Sequence, residues 1–339
     1  MTTTALRLAL AVAALCTGVP FVASADAVPL GPAGQPQPRA EFTNVFLTWD
    51  GRTETMIVDT TSMDTETPYS AMVIPTPAPA TLRPVESGLF VELNEVAAAD
   101  VVTQRHWFQQ AHIPESEQLF GVLINQPPPG PPHLSGSLSA VADWLSNRGV
   151  AVDTSPASAL AEYQREGWSF TAVQLADDGD AFSSESGVVS TDEFLLRFDT
   201  DRLIYPTRID RGLPGPTLTR MYVLADHRVT RGDADATQHN VDVEFAGPLP
   251  ESGRAALSRP MALGNDYLTV LTTTVPDPST IATDATFVRA SSDEPFRDTI
   301  VRHENVELLG FPAGYVLIVA GFSVAAVVAG AVLRGRSPR

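Results

Sequence analysis

The segment "MYVLADHRVTRGDADATQHNVDVEF", Met221 to Phe245, gathers the densest set of side chains able to do chemistry in this chain. Met221, Val223, Ala225 and His227 alternate onto one face of a predicted strand. His239, Val241, Val243 and Phe245 alternate onto one face of a second. Pairing Met221 with Phe245 and Val223 with Val243 aligns the two apolar faces, and a slip of one residue would turn one of them to water. That register sets His227 opposite His239 at the mouth of a hairpin, with Asp233 and Asp235 in the connecting loop. Two imidazoles beside carboxylates can hold a divalent cation. The plainer alternative is two imidazoles capping a core edge beside an Asp-rich turn. The loop lacks the glycine of an EF-hand, so calcium is not expected.

The remaining chemistry is read mostly by exclusion. In "RHWFQQAHIPE", His106 and His112 flank Trp107 without the spacing of H-E-x-x-H, and the stretch reads as buried or partly buried aromatic packing. No G-x-S-x-G occurs, although a Ser-His-Asp triad has no fixed spacing and stays open. "GWSF" and "YPTRI" read as core aromatics at strand starts, with Arg208 beside Tyr205 available to pair with an acid. All 22 basic residues are arginine, which removes a P-loop lysine, a Schiff-base lysine and a Ser-Lys dyad. The single cysteine, Cys16, falls in a predicted leader. The mature chain then has no disulfide, thiol nucleophile, iron–sulfur cluster or thiolate zinc site. No cofactor is expected.

What must position these groups begins with the two ends. "MTTTALRLALAVAALCTGVPFVASADA" has an early Arg7, an uncharged run from Leu8 to Val22, and small residues before Ala25 and Ala27. That is the layout of a secretory signal peptide, residues 1–25, with cleavage after Ala25 or Ala27. At the other end, Tyr315 to Leu333 carries no charge and spans the length a bilayer needs, which predicts a transmembrane helix over 314–333. Arg334, Arg336 and Arg339 follow in a basic tail, 334–339, and the positive-inside bias keeps that tail in the cytoplasm. The expected location is the cell membrane, crossed once, with the large N-terminal domain extracytoplasmic. Setting aside Arg7 and the three tail arginines, the formal net charge of −18 becomes −22 for the exported part. A field of that sign repels phosphate backbones, so no nucleic-acid partner is expected.

Between the ends, residues 26–40 read as a flexible Pro/Gly-rich leader, and 41–310 as an extracytoplasmic α+β domain. Mostly antiparallel sheets with about three inserted helices are expected, and the proline-rich break near 126–136 offers a boundary between two lobes. Asp50-Gly51 marks a hairpin between "NVFLTW" and "TETMIVDTTSM". Pro75, Pro77 and Pro79 place "YSAMVIPTPAP" at a strand end or sheet edge. Leu89, Phe90, Leu93, Val96 and Ala97 recur at helical spacing. A second helix starts near Ser135 or Ser137 and stops at Gly149. A third has Ser155 as its cap, Pro156 in its first turn and Gly167 as its terminator. "LFGVLIN", "WSFTAVQL", "EFLLRFDTDRLIYPTRI", "VDVEFAG", "YLTVLTTTV" and "TFVRAS" read as strands.

Taken in order, "LTWDGRTETMIV", "AMVIPTPAPATL", "ELNEVAAADVVTQRHWF", "REGWSFTAVQL", "LRFDTDRLIYPTRI", "LADHR" and "VDVEFAG" resemble the bacterial exported proteins grouped as domain of unknown function 2330. The resemblance runs from about Glu41 to Val306. It implies an exported, often membrane-anchored domain with no assigned activity and no catalytic residues to carry over. Many relatives begin the mature domain with a Cys-containing stretch; here that region reads "DAVPLGPAGQPQPRA", so a cysteine-dependent role has no residue to rest on. The expected function is a non-catalytic binding or structural domain of the cell envelope, with an envelope protein as partner. The alternative is an envelope hydrolase using His and carboxylates with a divalent metal.

Overall fold

A computed structural model describes residues 28–30, 42–62, 71–85, 88–108, 132–150, 152, 154–174, 189–190, 193–213, 215–251, 257, 264–308 and 310–335, with side chains of the last helix described as far as Ala329. The residues read as a signal peptide, Cys16, most of the stretch read as a leader, His112, "LFGVLIN" and the proline-rich 126–131 lie outside these residues.

The strands run β1 Val28–Leu30, β2 Phe42–Trp49, β3 Thr53–Ser62, β4 Ala71–Thr76, β5 Thr81–Pro84, β6 Asp100–His106, β7 His133–Gly136, β8 Ser169–Gln174, β9 Val189–Ser190 and β10 Phe194–Asp199. They continue as β11 Ile204–Tyr205, β12 Thr217–Ala225, β13 Val229–Arg231, β14 Asn240–Pro248, β15 Tyr267–Val275, β16 Ala285–Arg289, β17 Phe296–Arg297, β18 Thr299–Asn305, β19 Glu307–Leu308 and β20 Phe311–Pro312. Helices α1 Leu89–Ala97, α2 Leu138–Ser146 and α3 Thr154–Arg165 are inserted among them. The class is α+β and mostly sheet, as the alternating patterns indicate.

A large sheet in the order β17-β14-β15-β12-β2-β3-β10-β5 forms the frame, with β9 added to β3. Its central strands are buried on both faces, so β2 and β15 are enclosed at nearly every position, with their threonines and Asn44 buried or half-buried. One face packs Val45, Leu47, Met56, Val58, Phe194 and Met221 against residues of two smaller sheets, β1-β4-β8-β7 and β11-β16-β13. The opposite face carries Phe46, Ile57, Tyr222, Leu224 and Val270, covered by Leu89, Phe90 and Leu93 of α1. The outer face of the β1-β4-β8-β7 sheet is closed by Val141, Leu145, Leu160 and Tyr163 of α2 and α3. The result is four layers: α1, large sheet, smaller sheets, and α2 with α3.

Local chemistry explains the element ends. The Ser137 hydroxyl accepts the Ala140 N–H to cap α2, and Asp50 Oδ1 accepts the N–H groups of Arg52 and Thr53 in the β2–β3 turn. Gly51 in that turn has φ 93°, which only glycine adopts cheaply. Pro75 sits near the end of β4 opposite Phe170, beyond the Ala71 to Val73 stretch that β1 pairs, so among the described residues its lack of an N–H costs no bond to β1. "HLSG", expected inside the proline-rich break, is instead β7, and β4 from before that break shares a sheet with β7 and β8 from after it. "PTRI" leaves the strand pattern for a 3-10 segment, Thr207–Gly212. The pairings are mostly antiparallel, as expected, and two among the described residues are parallel, β2 with β12 and β6 with β18.

The last helix, Ala313–Gly335, follows the short hairpin β19–β20. Its described side chains end at Ala329, 17 residues from Ala313, or about 26 Å of rise. Among the described residues, no helix is long and apolar enough to cross a membrane.

Candidate functional site

The expected pairing of β12 with β14 does not occur. β15 lies between them, pairing Met221 with Leu271 on one side and Val243 with Leu271 on the other. The cause is burial: β15 is buried along almost its whole length, whereas β14 alternates with the exposed Asn240 and Asp242, so β15 takes the inner slot. Across β15, Asn240 lies level with Leu218 and Pro248 with Ala225. His239 therefore starts at the far end of the sheet from His227, roughly 20–25 Å along the strands at ~3.3 Å per residue. Between them the chain leaves to form β13 in a different sheet.

Each of the four residues has its own partner. His227 Nδ1 contacts Asp226, and His239 Nε2 lies 3.2 Å from Thr280 Oγ1. Asp233 accepts two hydrogen bonds from Arg231, at 2.7 and 2.6 Å, with side chains only 3 % and 2 % exposed. Burial opposes ionisation of Asp233, but the Arg231 hydrogen bonds and charge outweigh it and hold the carboxyl below its ordinary value. Asp235 is fully buried and takes the N–H groups of Ala282 and Thr283 at 2.8 Å. The loop carboxylates thus point inward and tie the segment between β13 and β14 to the chain before β16. Among the described residues, no group of three or more His, Cys, Asp or Glu side chains is placed to hold a metal. Arg208 does find acids: 13 % exposed itself, it bridges the half-exposed Glu166 and the buried Asp284. Phe170 and Tyr205 are core aromatics as expected, whereas Trp107 is 54 % exposed and packs in no core.

The most concentrated chemistry lies elsewhere, in a row the sequence reading passed over. The strand registers align Asp242, Thr272, Arg220, Asn44 and Asp59 across five neighbouring strands of the large sheet. Phe46, Ile57 and Tyr222, two residues along their strands, mark that face as the one under α1. Glu193 extends the row at the start of β10. Arg220 is ion-paired with Glu244 at 2.5 Å, and both Arg220 and Tyr222 donate to Asn94 Oδ1 of α1. Thr272 donates to the other Glu244 oxygen, and Asn44 Nδ2 donates to Asp59 at 3.4 Å. Glu193 accepts the N–H groups of Gly88 and Leu89 at 3.2 and 3.3 Å, capping α1, whose N-cap glycine has no side chain to do so. Burial, reinforced by the Asp59 charge, pushes Glu193 up to about 7, against the helix N–H groups that favour its ionised form.

This band can take up a proton near neutrality and can offer hydrogen bonds at its half-buried rim, where Asp59, Asn94, Thr272 and Glu193 reach solvent. It has no serine or cysteine nucleophile among these members, and its one arginine is already engaged. The signal in the sequence was parity: Asn44, Asp59, Arg220 and Thr272 are polar residues at positions of the same facing in their strands. Another acid, Glu54, is fully buried on the opposite face and accepts the Ile204 N–H at 3.0 Å. Burial drives its pKa well above the ordinary value, and Oε1 has no hydrogen-bond partner among the described residues.

A family model described as "Uncharacterized protein conserved in bacteria (DUF2330)" matches residues 29–124 and 132–288. No curated protein and no solved structure matches the chain.

Proposed function

The chain belongs to the DUF2330 family of uncharacterised proteins conserved in bacteria, and from there we propose that it is a membrane-anchored, extracytoplasmic domain with a non-catalytic binding or structural role in the cell envelope. The observation that carries this reading is the surface of the last helix. Val319, Phe322, Val324, Val327 and Val328 are each more than half exposed and point to several sides of the helix. Water would penalise such a surface at about 25 cal/mol per Å² of apolar area, while lipid tails accept it and the helix satisfies its own backbone. The one hydroxyl in this stretch, Ser323, donates to Val319 O at 2.8 Å, so it too needs no water. The helix runs for 23 residues, about 34 Å, and its apolar sequence continues through Leu333 before Arg334.

The non-catalytic side of the reading rests on how the reactive groups are used. Asp233, Asp235, Glu166 and Asp284 brace loops, and Glu193 caps a helix. His227 and His239 are held apart on different partners. The acidic exported surface suits a basic or cationic envelope partner.

Cell fractionation tests the anchor. The full chain is expected to sediment with membranes and resist alkaline carbonate, whereas a chain stopped before Ala313 is expected in the soluble fraction, still folded. Recovery of the full chain in the soluble fraction would sink the anchoring claim.

A further inference from the structure

We propose that Trp107, Phe108, Leu308, Phe311 and Tyr315 form a collar that seats in the interfacial zone of a phospholipid bilayer; this rests on the anchoring read from the last helix. Each of the five is more than two-fifths exposed, and Phe311 reaches 66 %. They come from two distant parts of the chain, the end of β6 and the β19–β20 hairpin with the first turn of the helix. The structure locks those parts together. Gly314 N donates to Trp107 O at 2.6 Å, Ala313 N to Val306 O at 2.7 Å and Val306 N to His106 O at 2.8 Å. The Phe108 and Tyr315 rings meet edge to face with centroids 5.4 Å apart. A Cβ on Gly314 would lie 2.6 Å from both the Phe108 ring and Trp107 O, so that approach requires glycine.

Polarity changes in order along this unit. Below the collar, Leu317, Ile318 and Val319 begin the apolar helix surface. Above it, His106 and His303 are hydrogen-bonded at 2.8 Å, and Arg105 lies opposite Glu304 in the parallel β6–β18 register. Rings with one wet end suit the boundary between headgroups and tails, and tryptophan and tyrosine concentrate there. The apolar collar is continuous with the helix surface, which commits its occupant to the same bilayer. Lipid covering these rings accounts for their being more exposed than the buried or partly buried packing expected of "RHWF".

The test uses the full chain reconstituted in vesicles of phosphatidylcholine and phosphatidylglycerol, with some lipid brominated either near the glycerol or near the chain's methyl end. Tryptophan emission is compared between the native chain and Trp107→Phe, and flotation of the vesicles reports anchoring separately. The expected result is quenching by bromine that is stronger for the shallow position and is lost in Trp107→Phe, with flotation unchanged. A floating protein whose Trp107 emission ignores lipid bromine but yields to aqueous acrylamide would overturn the collar and leave the anchor standing. Trp107 shielded from both quenchers would also overturn it, by showing that a second protein surface covers the rings. A chain that never floats with vesicles would overturn both readings.

Discussion

Arg231→Ala is expected to destabilise the folded domain by about 3–5 kcal/mol, because it leaves the Asp233 carboxylate buried without its counter-charge. Both side chains are almost fully enclosed, and their two hydrogen bonds are short and nearly parallel. Arg231 also donates to Thr273 Oγ1 at 3.3 Å, and Asp233 accepts the Thr286 N–H at 3.2 Å, so the pair joins β13, β15 and β16. The measurement is urea unfolding followed by tryptophan fluorescence. Replacing both members, Arg231→Met with Asp233→Asn, is expected to recover much of the loss, since the uncompensated charge is then gone and the acceptor for Thr286 remains. A single variant within about 1 kcal/mol of the native chain would mean that water reaches this pair.

The second large effect is on pH. Glu54 and Glu193 both hold their protons to higher pH in the folded chain than an unfolded glutamate does. For such acids the stabilising contribution is complete below about pH 4.5 and is lost as pH rises toward the folded value. A shift from the ordinary 4.5 to about 7 at Glu193 corresponds to roughly 3 kcal/mol lost across that window, at ~1.4 kcal/mol per unit. Glu54, raised by burial, adds a loss of the same sign. Asp50, Glu166 and Asp233 are shifted the other way, so their contributions vanish only below the ordinary carboxylate range. Stability should therefore peak near the ordinary glutamate value and decline through neutrality. Glu193→Gln is expected to flatten the decline up to about pH 7, and Glu54→Gln to reduce the decline further while raising the melting temperature at alkaline pH. Identical pH profiles for the native chain and both variants would refute these two protonation assignments.

Much of the fold was legible wherever the cause was local. The Asp50-Gly51 hairpin, Ser137 with Gly149 around α2, and the α1 spacing from Leu89 to Ala97 follow from turn chemistry, capping and periodicity. The α+β class and the inserted helices came with them. What failed was long-range. The His227–His239 hairpin looked sound because its two strands match in apolar pattern, yet β15, more completely buried, competes for the same slot from further along the chain. Pattern matching ranks neighbours in sequence and cannot see that competitor. The polar row failed for a related reason. Asn44, Asp59, Arg220 and Thr272 are each unremarked within their own strands, and they become a band only when the registers stack them. Trp107 and Phe108 are more exposed than the packing expected of them, because an apolar ring carries no mark in the sequence of what will cover it.

Anchoring by the last helix, with the α+β domain outside the cytoplasm, is the claim on which the functional reading depends. It is tested most directly by adding protease to intact spheroplasts carrying the full chain with an epitope after Arg339. Digestion of the domain, leaving a small membrane-held fragment with the epitope protected until the cells are lysed, is the predicted result. A domain that survives while the epitope is cut from outside, or that is cut only after lysis, would contradict it.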